Sequence, residues 1–65
     1  MSASDEAELS TLRSQLDELA RRCTAVADRY RETPDSAIAA ELDGIERNLN
    51  AARRALHRAL ALLRD

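Results

Sequence analysis

Apolar residues recur along this chain in alternating steps of three and four. In the first half they fall at Leu9, Leu12, Leu16, Leu19, Cys23, Val26 and Tyr30. The pattern stops at Thr33-Pro34-Asp35 and resumes at Ile38, Leu42, Ile45, Leu49, Ala52, Leu56, Ala59 and Leu63. A seven-residue hydrophobic repeat turns one narrow helical stripe toward a partner helix, as in a coiled coil. The fold class it predicts is all-α, an antiparallel two-helix coiled-coil hairpin. The boundaries follow as an N-terminal tail over 1–4, helix 1 over 5–32, a turn at 33–35 and helix 2 over 36–65, together a single hairpin domain. Ser4 suits an N-cap, and Asp5, Glu6 and Glu8 suit the positive end of the helix dipole. Thr33-Pro34 punctuates, because the residue before proline is pushed out of the helical region while proline itself opens a helix well.

A short turn makes the helices antiparallel, so the two stripes should meet at a constant register. They match as Tyr30–Ile38, Val26–Leu42, Cys23–Ile45, Leu19–Leu49, Leu16–Ala52, Leu12–Leu56 and Leu9–Ala59. Leucine faces alanine in two of these layers, which predicts a closer approach toward the open end. Arg29 and Glu41 fall on one flank, within reach of an exposed ion pair. Ala20, Ala27 and Ala39 form a smooth flank beside the stripe, and Gly44 points outward. Leu60 and Leu62 lie outside the stripe, beside Leu56 and Leu63. One hairpin cannot bury all four leucines, and such patches mark association. Leu56, Leu60, Leu62 and Leu63 are therefore the expected interface of a homodimer, a four-helix bundle built from two hairpins. A different protein partner is the alternative occupant.

Size and composition sharpen the need for a partner. The chain has 65 residues, no Phe, no Trp and one Tyr, so its core must come from Leu, Ile, Val and Ala. Scaffolds this small usually need a staple or an assembly. A single cysteine cannot form an internal disulfide, and Cys23 on the stripe reads as a small core residue. All ten cations are arginine, which together with abundant Ala and Leu suggests a GC-rich bacterial genome. The net charge of −2 gives no general attraction to nucleic acid or anionic membranes. No apolar run approaches the length of a membrane span, and the acidic N-terminus lacks the layout of a signal peptide. A cytoplasmic location is the expectation.

Catalytic chemistry has little material. His57, the only histidine, stands beside Arg58 and outside the stripe. One His with one Cys makes no zinc site, and no Glu-x-x-His pair supplies a di-iron site. Glycine-rich phosphate loops and nucleophile elbows are missing from the sequence. The expectation is a protein that is not an enzyme and carries no cofactor. Its role would be a non-catalytic protein–protein interaction or oligomerisation module, such as a small regulatory or adaptor subunit. Arg47, Arg54 and Arg58 form a helical stripe with Arg53 and His57 alongside, the kind of array that tracks phosphates. Interleaved acids and the lack of stacking aromatics weigh against nucleic acid, leaving a nucleic-acid-binding hairpin dimer as a lesser alternative.

One constellation repeats. Glu6-x3-Ser10-x2-Arg13-x3-Asp17 on helix 1 is echoed by Glu46-x3-Asn50-x2-Arg53-x3-His57 on helix 2. In part it resembles the E-x3-S-x2-R-x3-Q-x3-D signature of cyclic-di-GMP-responsive anti-sigma factors of actinomycetes, which are antiparallel coiled-coil hairpins. Helix 1 departs at Asp17 and Arg21, where that pattern has Gln and Asp. Helix 2 departs at Asn50, His57 and Ala61. The resemblance implies a cyclic dinucleotide held by Arg13 and Arg53, with Glu6, Ser10 and Asn50 assisting, in a hairpin that regulates a transcription (sigma) factor.

Overall fold

A computed structural model describes residues 3–64 as two helices lying side by side, α1 (Ala3–Asp28) and α2 (Ser36–Arg64). Alanine, leucine, arginine and glutamate dominate both, and all four favour the helical state. The observed fold is the all-α helical hairpin that the hydrophobic repeat implies. Met1, Ser2 and Asp65, assigned to the tail and to the end of helix 2, lie outside the described residues.

The boundaries differ at helix 1. It starts at Ala3, so Ser4 lies within it, and it ends at Asp28 rather than at residue 32. The last turn tightens as Arg29 N–H donates to the Val26 carbonyl at 3.1 Å and Tyr30 N–H to that of Ala27 at 3.0 Å. Both bonds reach back three residues, the tighter spacing common at helix ends. Glu32 then takes a left-handed conformation (φ 58°), a place where glycine is the usual residue.

Thr33 joins the two ends of the turn. Its hydroxyl donates to the Tyr30 carbonyl at 2.5 Å and accepts the Asp35 N–H at 3.2 Å. Ser36 N–H reaches the Thr33 carbonyl at 3.1 Å, and Ile38 N–H that of Asp35 at 3.0 Å. The threonine therefore acts as a side-chain cap for α2, with Pro34 fixing the backbone just behind it.

The line of closest packing is not the apolar stripe but the line one residue beyond it. Among the described residues the buried ones are Ala20, Ala27, Ala39 and Leu60, at 7, 0, 3 and 1% exposure. They share a seven-residue spacing with Glu6 and Arg13 on α1, and with Glu46 and Arg53 on α2. The three alanines were expected on a flank; instead they form the centre of the contact. Their small side chains let the backbones approach, and the larger stripe residues are displaced to one side. Leu12, Leu19, Ile38 and Ile45 consequently remain 38, 45, 43 and 45% exposed. The buried positions run from Ala27 and Ala39 near the turn to Leu60 near the open end.

The result is long and thin. The Cα trace measures 50 × 14 × 9 Å with a radius of gyration of 15.1 Å. A compact chain of this length would have about 11 Å. The accessible surface is 4776 Å² for 7.2 kDa, against about 4,100 Å² for a compact monomer of that mass. Four buried residues give this hairpin very little core of its own.

Candidate functional site

The rotation of the contact line divides the hairpin into two unlike faces. One carries a polar ladder across the helix pair. Near the turn the Arg31 guanidinium grips Asp43 with two hydrogen bonds, of 2.9 and 2.8 Å, while its Nε meets Asp28 at 2.8 Å. Next the Thr24 hydroxyl donates to Glu46 at 2.8 Å. Arg53 Nε then pairs with Asp17 at 2.6 Å, and at the open end Arg64 Nε meets Glu6 at 2.8 Å. The last three rungs keep one antiparallel register, each step along α1 being matched by an equal step back along α2. The expected neighbours Arg29 and Glu41 are both exposed, and the ion pair joining the helices here is that of Arg31 and Asp43.

The Arg31–Asp43 rung also shifts the titration of its members. The hydrogen bonds from Arg31 hold the Asp43 carboxyl below its ordinary value, with the charges of Arg31 and Arg47 assisting. Arg31 is shifted upward, first by Asp43 and then by Asp28. Both side chains are partly solvated, at 42% exposure for Arg31 and 33% for Asp43, so the pair acts as a surface clamp.

Beside the Asp17–Arg53 rung the same face holds a hollow of about 520 Å³, lined by Arg13, Asp17, Asn50, Arg53, Arg54, His57 and Arg58. Arg53 Nη1 donates to Asn50 Oδ1 at 2.7 Å, so Asn50 and Asp17 together orient its guanidinium. The hollow thus brings together Arg13, Asn50 and Arg53 from the sequence constellation. Glu6 and Ser10 are not in its lining. Glu6 is instead engaged with Arg64 at the open end. Four arginines against one carboxylate make the hollow strongly cationic. Among the described residues no three His, Cys, Asp or Glu side chains gather as a metal-binding group.

The opposite face is apolar. Leu12, Gln15, Leu16, Leu19, Ala52, Ala55, Leu56 and Ala59 line an open groove of about 470 Å³ in its half away from the turn. Ile38 and Ile45 project from the half near the turn. Neither described helix is long and apolar enough to cross a membrane.

Comparison with protein-family models, with curated proteins and with solved structures gives no match.

The geometry of the two faces revises the four-leucine patch. Leu60 is 1% exposed and packs inside the hairpin, so it is not part of an open surface. Leu62 is 73% exposed, Leu56 and Leu63 are half-buried, and Leu56 lines the apolar groove. The larger apolar surface is the displaced stripe, which sequence reasoning had assigned to the hairpin's own seam. A signal for the rotation was present. Ala20 and Ala27 fall on one seven-residue line of α1, and Ala39 falls on one of α2 with Arg53, which has an acid to meet in Asp17. Cys23 is half-buried on the stripe, and His57 is exposed at the edge of the cationic hollow.

Proposed function

We propose that this chain is a helical interaction module that works by self-association through its apolar face, forming a four-helix bundle from two hairpins. The observation that carries this reading is the row of large apolar residues left 38–45% exposed in step along both helices. Soluble monomers rarely leave so continuous an apolar strip open. Taken as a flat 50 × 14 Å rectangle, the face offers about 700 Å² per copy, close to a standard protein interface. The module's role is to hold chains together, as a small regulatory or adaptor subunit does. Leu19→Glu with Ile45→Glu is expected to shift the sedimentation coefficient to that of a monomer and to lower the melting temperature. An unchanged mass and midpoint in this double variant would overturn the reading.

A second reading rests on the hollow that unites Arg13, Asn50 and Arg53. Oriented guanidinium groups suit phosphate, and a hairpin with this feature would respond to a cyclic dinucleotide while regulating a transcription factor. Titration with cyclic-di-GMP tests it: binding that Arg53→Ala abolishes supports the reading, and no heat at tens of micromolar ligand removes it.

A further inference from the structure

The apolar face is graded from one end to the other, and the grading selects how a second copy sits. Along the exposed edge of α2 the residues at seven-residue intervals are Ile38, Ile45, Ala52 and Ala59, two large and then two small. The groove of about 470 Å³ lies at the alanine half, and the isoleucines stand 43 and 45% exposed at the other half. If two copies met with their turns at the same end, a two-fold along the helices would lay α1 on α2 of the second copy, and one hollow would face the other. Inverting one copy places each Ile38 over Ala59 and each Ile45 over Ala52, so that large side chains enter the hollow. Close packing favours the second arrangement, since both voids and overpacking destabilise.

The charges beside the α1 stripe suit the same orientation. Glu8, Gln15, Arg22 and Arg29 follow one another at seven-residue intervals, all exposed, along the outer margin of the apolar face. Inversion lays the two α1 helices antiparallel, which sets Glu8 against Arg29 and Gln15 against Arg22 of the second copy. In that register Leu12 meets Val26, and Leu19 meets its own counterpart at the two-fold axis. Margin charges of this kind set orientation more than affinity.

Building on the self-association reading, we infer that the second copy docks upside down, with the two turns at opposite ends and α1 against α1, α2 against α2. The two-fold axis crosses α2 near Asn48 and Leu49. Each copy thereby fills the hollow of the other, and the cationic hollows lie on the outside, toward opposite ends of the bundle.

Spin labels test the orientation independently of the association. In a Cys23→Ser background, Ala37→Cys places a label at an exposed site just after the turn. The inverted dimer separates the two labels by about 35 Å, roughly twice eleven residues at 1.5 Å each. Turns at the same end would hold them within about 20 Å, the width of two helices. Mixing copies labelled at Ala37 with copies labelled at the exposed Ala61 should give the reverse, a short distance. Glu8→Arg should weaken the dimer by about fivefold in Kd, and Arg29→Glu in the same chain should restore it. A dimer with short Ala37–Ala37 distances would overturn the orientation and leave self-association standing. A monomer at hundreds of micromolar would overturn both, and a complex with a different protein would then be the face's occupant.

Discussion

Ala27 has no exposed surface and Ala39 only 3%, and both lie in the contact between the helices near the turn. A larger side chain at either position would have to enter the contact between the helices. Ala27→Leu should therefore cost about 1–3 kcal/mol through overpacking, read as a lower denaturation midpoint. An unchanged midpoint would mean that the helices separate easily there. Gly44 shows the opposite situation. A Cβ built on it meets nothing nearer than the end of the Arg47 side chain, at 3.6 Å, so no close approach requires its glycine.

The elements were largely legible and their facing was not. Two helices, a turn at Thr33-Pro34 and an antiparallel course all follow from the interval between apolar residues and from the break in it. The repeat also fixes a stripe. Yet a stripe beside a line of alanines can be used in two ways, and the three-four spacing does not say which neighbour lies under it. Arg53 has a local partner in Asn50 and a cross-helix partner in Asp17, and contacts of the second kind lock the rotation. The turn has its own lock in Arg31 and Asp43. Because the Asp43 carboxyl is shifted down in the folded hairpin, its contribution is present above the ordinary carboxylate pKa of 3.8 and is lost as pH falls through the depressed value. Arg31, shifted up, stays charged throughout that range. Asp43→Asn should accordingly flatten the loss of stability on acidification below about pH 4, which thermal melts across pH would detect. An acid limb as steep as that of the unmodified chain would show that the clamp contributes nothing.

At the scale of the molecule, the same rotation gives the hairpin two unlike faces. The ladder and the cationic hollow occupy one of them, and the apolar stripe is left to the other. The sequence points to part of the polar face and to the wrong part of the apolar one. Arg13, Asn50 and Arg53 were grouped by their spacing, and association was expected from surplus leucine. It mislocated the apolar surface, because Leu60 turned inward while Leu12, Leu19, Ile38 and Ile45 turned outward. Isolated helical pairs with so little core are marginal in water, so folding and association should be one process here. The most direct measurement follows mass by sedimentation and helicity by circular dichroism through one dilution series. Self-association through the apolar face should give a dimer of about twice 7.2 kDa that loses mass and helicity together on dilution. A fully helical monomer of 7.2 kDa at every concentration would contradict it.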